Sequence, residues 1–286
     1  MKKGILNKII AVIAVSAIAI SAIGCGNSSK AEGEKTEGAA VEQKSDGGNL
    51  DTIKSKGKLV VGTSADYPPY EFHATVDGKD EIVGFDIDIA KEVAQDLGVE
   101  IEVKDMDFDG LLVALQAGKV DMVFAGMTPT DERKENADFS DIYYTATHRF
   151  ILRRGEEGSV KSFDDLKGKK IGVQKGSIQE GIAKNKFDAA NIKSLAKVTD
   201  LVLDLKNNKV DAILIEEGVA KINCDKNKDI AVSDFVVKDE DGGAAIALKK
   251  GSTELQAEVN KTISKLKEED KITKFVSDAN DLAAEQ

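Results

Sequence analysis

The chain has 286 residues, 41% hydrophobic and 32% charged, with a formal net charge of −11 at pH 7. The apolar share allows a buried core, and the length holds one large domain or two small ones. Negative charge on this scale argues against nucleic acid as a partner and against a basic membrane-binding face.

Lys2, Lys3 and Lys8 precede an uncharged apolar run, Ile9 to Ile20, too short for a comfortable membrane span. Ala22-Ile23-Gly24-Cys25 follows, completing the charged, apolar and small-residue regions of a secretory signal. Cys25 directly after Gly24 resembles the bacterial lipobox, whose cysteine is lipidated and becomes the first mature residue. Ala22 departs from the usual Leu three residues earlier, and an ordinary signal peptide with an incidental Cys25 is the alternative. Removing residues 1–24 takes away those three lysines and moves the net charge from −11 to −14. Residues 26–49 are Gly, Ser, Glu and Lys with almost nothing apolar, the composition of a disordered tether spanning about 27 Å. Cys224 is the only other cysteine. With Cys25 lipidated it has no disulfide partner and is expected as a small packed residue. His73 and His148 are far apart and give no metal spacing. Gly242-Gly243 is too weak for a phosphate loop, so no cofactor is expected.

The folded part opens with a strand at Lys58 to Thr63 and a rigid aromatic loop, Ser64 to Tyr70. Asp77-Gly78 marks a hairpin turn. Gly84 to Gly98 reads as an amphipathic helix with Phe85, Ile89, Val93 and Leu97 on its apolar stripe, acids in its first turn and Gly98 as its stop. Val99 to Val103 is a second strand. Asp109 is placed to cap a short helix through Leu115. Val120 to Phe124 is a buried strand.

That strand leads into Ala125-Gly126-Met127-Thr128-Pro129-Thr130-Asp131-Glu132-Arg133-Lys134. Gly126 permits a turn or a close approach, Pro129 stiffens it, and Thr130 is a helix N-cap with Arg133 in the first turn. A hydroxyl, backbone N–H groups and a guanidinium at one strand end suit a carboxylate, which Arg can bind bidentately. An exposed Arg beside an ordinary capped turn is the bland alternative.

A second set of elements follows. Ser162 to Leu166 is a capped turn, Lys170 to Val173 a strand, and Ser177-Ile178-Gln179-Glu180 a capping box opening a helix. Thr199 to Leu205 is a helix and Val210 to Ile215 a strand. Leu111 to Met122 echoes Leu201 to Ala212 at an offset of 90 residues, with Leu, Leu, Lys, Val and Asp coinciding. Two α/β lobes of similar design follow from this, with Gly126 and Glu216 at equivalent strand ends, where ligands gather in such sheets. Ala244 to Leu248 is a last strand. Ser252 caps a helix striped by Leu255, Val259, Ile263 and Leu266, and Lys271 to Ser277 is the final helix.

Gly84-Phe85-Asp86-Ile87-Asp88-Ile89, with Val93-Ala94 and Leu97 at the right distance, is similar to the signature of bacterial extracellular solute-binding proteins, family 3, the polar amino-acid receptors of ABC importers. The stretch around Arg133 resembles theirs too, as do Gly62-Thr63-Ser64, Pro69-Tyr70-Glu71-Phe72, Met106-Asp107-Phe108 and Asp138-Phe139-Ser140-Asp141. The resemblance covers about Lys58 to Ser277. It implies an α/β, periplasmic-binding-protein-like clamp of two lobes joined by two hinge segments. Residues 50–146 with 243–286 would form lobe 1, and residues 147–242 lobe 2. It implies a ligand carboxylate on Arg133, Thr128 and the N–H groups around Ser177. The ligand ammonium would lie on Glu216, where relatives more often have Asp, and on the Gly126 carbonyl. Ser64, Tyr67 and Phe108, with Met127 nearby, would take the ligand side chain. Ser64 stands where relatives that hold basic or amide ligands often have Asp, which counts against a Lys, Arg or His ligand; Asp66 is close and either compensates or only caps the loop. The implied protein is a lipid-anchored, extracytoplasmic monomer that passes a free polar L-amino acid to ABC permease subunits. The alternative is a clamp-fold dehydratase acting on a cyclic carboxylic acid.

Overall fold

The structure is a computed structural model describing residues 50–238 and 242–286. The leader, Cys25 and the tether lie outside these residues.

Five strands make the first sheet, in the order Glu100–Asp105, Lys58–Thr63, Met122–Val123, Ala247–Lys249, Ala137–Phe139. The first three are parallel, and Ala247–Lys249 runs antiparallel to both its neighbours. Alternation along the strands sends Leu59, Val61, Met122 and Leu248 to one face and Val123 and Ala247 to the other, all buried. Helices Phe85–Leu97, Thr253–Glu268 and Lys271–Glu285 pack together. The predicted stripes Phe85, Ile89, Val93, Leu97 and Leu255, Val259, Ile263, Leu266 are buried as expected, in the cluster that holds Leu59 and Val61. Helix Leu111–Gln116 packs beside Val123 and Ala247. A sheet buried on both faces is the α/β arrangement.

The second sheet runs Ile192–Leu195, Ile171–Gln174, Ala212–Glu216, Thr147–Arg153, Ile230–Val232, with Val237–Lys238 also paired to Thr147–Arg153. Ile151, Ile213 and Ile215 share a core with helices Val198–Lys206 and Glu217–Lys226. Phe150, Leu152 and Leu214 face the other way, among Phe163, Phe187 and Phe235. A three-stranded antiparallel sheet, Asp66–Tyr67, Glu71–Val76, Lys79–Val83, carries the Asp77-Gly78 turn.

The 90-residue echo is a structural equivalence. Val60 N–H donates to Asp121 Oδ2 at 2.9 Å and Lys170 N–H to Asp211 Oδ2 at 2.8 Å. Asp121 N–H returns a bond to Val60 O and Asp211 N–H to Lys170 O, each 2.7 Å. Gly62 lies against Leu111 and Val120, and Gly172 against Leu201 and Val210. Gly118 and Asn208 both hold positive φ, 67° and 59°, where the helix turns into its strand.

Several boundaries differ from expectation. Asp109 does not cap the short helix: it lies within a 3₁₀ turn, Phe108–Gly110, that precedes Leu111–Gln116. The strand expected over Val120 to Phe124 pairs only at Met122–Val123, and the last helix runs on to Glu285. Ser177 caps Ile178–Lys186 by accepting from Glu180 N–H at 3.2 Å. The Glu180 carboxylate, however, accepts from Gly176 N–H rather than from the cap's own N–H, so the box is shifted by one residue.

The chain passes between the two large sheets at residues 140–146, and residues 242–246 lead back into the first sheet. Tyr144 and Ala244 bridge these crossings, with Tyr143 N–H donating to Ala244 O at 2.9 Å and Ala244 N–H to Tyr144 O at 2.8 Å.

Candidate functional site

The strand ends of both sheets meet at a nearly closed cleft with a free volume of about 30 Å³. On the first-lobe side the short strand Met122–Val123 delivers Gly126, whose φ of +54° and contact with the Tyr70 ring leave no room for a Cβ. Gly126 N–H donates to Asp86 Oδ2 at 2.8 Å. Thr130 caps helix Asp131–Asn136 by accepting from Arg133 N–H at 3.3 Å. The cap brings the Arg133 guanidinium back over the loop. Its Nη1 donates to Thr128 O at 2.7 Å, its Nη2 to Gly176 O in the second lobe at 2.9 Å, and Cζ lies 5.4 Å from the Phe108 ring centroid.

On the second-lobe side strand Ala212–Glu216 ends with Glu216 only 6% exposed. The Tyr67 and Tyr70 phenols lie beside Glu216. Burial, and then the Glu216 charge, push both phenols well above their usual range. Glu217 points elsewhere: hydrogen bonds from Lys221, the Thr147 hydroxyl and Arg149 hold it down at about 2. Of the two adjacent acids, then, only Glu216 lines the cleft. Gln179 Nε2 and His148 Nδ1 are 3.3 Å apart, and Gln174 Nε2 donates to Ala196 O at 3.4 Å.

Seven of the nine residues read from sequence line this cleft: Tyr67, Phe108, Gly126, Thr128, Arg133, Ser177 and Glu216. Ser64 and Met127 do not. The Ser64 hydroxyl is fully buried and donates to Asp66 Oδ1 at 3.3 Å. Met127, between two cleft-facing neighbours, points into the core with Phe139 and Ala247. Asp66 does not compensate for Ser64, because its Oδ2 accepts Val198 N–H in the second lobe at 2.5 Å. Ser177 N–H is directed at Gln174 O at 3.3 Å, so it is not free toward the cleft. Tyr70, His148, Gln174 and Gln179 line the cleft although the sequence reading passed over them as cleft residues. Gln174 and Gln179 flank Ser177 at a strand end and in a first helical turn, a signal the sequence did contain.

The lobes also touch outside the cleft. Lys175 Nζ lies 2.8 Å from Asp109 Oδ2, and Lys197 Nζ lies 3.6 Å from Asp107 and 3.9 Å from Asp105. The cleft is thus lined by a guanidinium, Arg133, by a buried carboxyl, Glu216, and by the Tyr67, Tyr70 and Phe108 rings, with contacts between the lobes around it.

The family model of bacterial extracellular solute-binding proteins, family 3, matches residues 59–278, and the chain belongs to that family. Among its relatives, the arginine-binding extracellular protein ArtP of Bacillus subtilis (strain 168) is 41% identical over 232 residues, covering 79% of this chain and 88% of that protein. The L-cystine-binding protein TcyJ of Escherichia coli (strain K12) is 33% identical over 233 residues, covering 81% and 86%. The solved structure of the amino acid ABC transporter substrate-binding protein AbpA from Streptococcus pneumoniae Canada MDR_19A, bound to L-arginine, aligns with a TM-score of 0.80 at 44% identity, over 82% of this chain and 100% of that one. The family is extracellular and binds solutes, which sets aside the dehydratase reading.

Proposed function

We propose that this chain is a lipid-anchored receptor that captures a free polar L-amino acid outside the cytoplasm and delivers it to ABC permease subunits. The observation that carries the reading is that one cleft is lined by both the Arg133 guanidinium and the buried Glu216 carboxyl. A zwitterion matches both: its carboxylate lies on Arg133, the Thr128 hydroxyl and the helix N-terminus after Ser177, and its ammonium on Glu216 and the Gly126 carbonyl. Tyr67 and Phe108 flank the ligand stem. Phe108 already accepts one guanidinium, that of Arg133, near its ring, and the Gln174 and Gln179 amides offer neutral hydrogen-bonding groups. The arginine ligand of AbpA and the arginine in the name of ArtP put L-arginine first among candidates. The lobe limits in this proposal are 50–146 with 243–286, and 147–242, with the two crossings as hinge.

Calorimetric titration of the protein with L-arginine, L-glutamine and L-cystine, after unfolding and refolding to strip carried ligand, tests the reading. At least one should bind near micromolar affinity, about −8 kcal/mol. Absence of binding by all polar amino acids refutes it. The anchor rests on Cys25 alone. Cys25→Ser should move the protein from the membrane fraction to the medium, and unchanged membrane retention would rule the anchor out.

A further inference from the structure

Behind the Gly126 turn lies a buried acidic pair that the binding scheme above does not use. Asp86, in the first turn of helix Phe85–Leu97, is fully buried. Its Oδ2 accepts the Gly126 N–H, and the Tyr143 hydroxyl sits 2.8 Å from both its oxygens. Tyr143 belongs to the crossing 140–146, so one carboxyl ties the floor of the cleft to the hinge. Glu71 is 1% exposed. Among the described residues neither of its oxygens has a hydrogen-bond partner, and after burial the Asp86 charge is the one that acts on it most strongly. Two ionised carboxylates cannot share such a place, whereas one proton between them satisfies both.

We propose that Asp86 is a positioning residue for the ligand's ammonium group: as a carboxylate it fixes the Gly126 peptide and sets a negative field behind the Gly126 carbonyl, while Glu71 keeps a proton. The inference rests on the reading that the cleft binds an α-amino acid with its ammonium beside Glu216 and Gly126.

The pH dependence follows in sign. Burial raises Asp86 to about 6, and the Gly126 N–H, the Tyr143 hydroxyl and Glu71 act against that rise. Glu71 is likewise pushed well above the usual carboxylate range, by burial first and then by the Asp86 and Asp66 charges, with Glu216 adding to them. A bound ammonium favours the ionised form of Asp86, so the ligand binds more tightly where Asp86 is already a carboxylate. Affinity should therefore be full above about pH 6 and fall as pH drops through it. A shift of one pKa unit on binding corresponds to about tenfold in affinity. The groups facing the pair are the Tyr143 hydroxyl and the Gly126 N–H, with Glu216 and Asp66 acting through space on Glu71. Glu216 and His148 also line the cleft, but they remain in an Asp86 variant, so comparison with wild type isolates Asp86.

The test is calorimetric titration of the full chain between pH 5.3 and pH 8, using whichever of L-arginine, L-glutamine or L-cystine binds most tightly. Wild-type affinity should fall about fivefold from pH 7.5 to pH 5.3. Asp86→Asn should bind about tenfold more weakly at pH 7.5 and lose most of this slope. Glu71→Gln, which mimics the protonated acid, should keep both affinity and slope. Tyr143→Phe preserves the ring packing but removes a donor to Asp86, and should move the inflection to higher pH. A pH-independent wild type, an Asp86→Asn profile equal to wild type, a flat profile in Glu71→Gln or an unmoved inflection in Tyr143→Phe each overturns the proposal. A wild type that binds none of the three at any pH instead removes the amino-acid reading itself, and this inference falls with it.

Discussion

At Arg133 one guanidinium holds two backbone carbonyls, Thr128 O in its own lobe and Gly176 O in the other, and stacks near Phe108. It sits on a short helix with no buried residues, so its removal leaves the cores untouched. Arg133→Ala should therefore keep the wild-type circular dichroism spectrum while weakening amino-acid binding by about 2–5 kcal/mol, the cost of stripping a partner from a desolvated charge pair. Near-normal affinity in a calorimetric titration would contradict the carboxylate assignment. At this scale the sequence was most informative where a residue's position in its element sets its direction. Thr130 as a cap, Glu216 as a strand terminus and Gly126 at a turn all emerged from local chemistry. Met127 was misjudged because alternation along an extended segment turns it away from its neighbours. Asp66 was misjudged because its partner, Val198, is 132 residues away. Such a pairing is tertiary and leaves no local trace.

Among the elements, the repeated unit was the most legible feature, since helix, tight turn and buried strand each have their own pattern. The Asp121 and Asp211 coincidence reports a reciprocal bond to the neighbouring strand, and the Gly118 and Asn208 pair reports a turn of the same handedness in both lobes. Strand Thr147–Arg153 escaped notice for a physical reason. It is central and covered on both faces, so it lacks polar–apolar alternation, and Arg149 and Arg153 break its apolar run. Both arginines carry their charge to the strand's surroundings, Arg149 to Asp234 O at 2.7 Å and Arg153 to Val210 O at 3.1 Å. Helix Glu217–Lys226 was overlooked because Glu216 both ends a strand and serves as its N-cap, leaving no loop to mark the change.

Across the whole molecule, lobe closure is held by the protein's own groups as well as by anything in the cleft. Asp66 caps helix Val198–Lys206 from the opposite lobe, and Lys175, Lys197 and Arg133 add contacts across the same seam. Asp66→Ala removes an acceptor from a helix N-terminus, a loss of about 1 kcal/mol. It should weaken amino-acid binding about fivefold with little change in melting temperature. An unchanged affinity would show that the cap contributes nothing to closure. The same seam governs traffic. With so little of the cleft open to a water molecule, a solute enters only after these contacts part, and the frequency of parting sets an upper bound on capture. In stopped-flow mixing the observed rate should level off as solute concentration rises, and the plateau should lie higher in Asp66→Ala. Such a receptor meters its cargo by its own gate, so enriching the medium beyond that point fills it no faster.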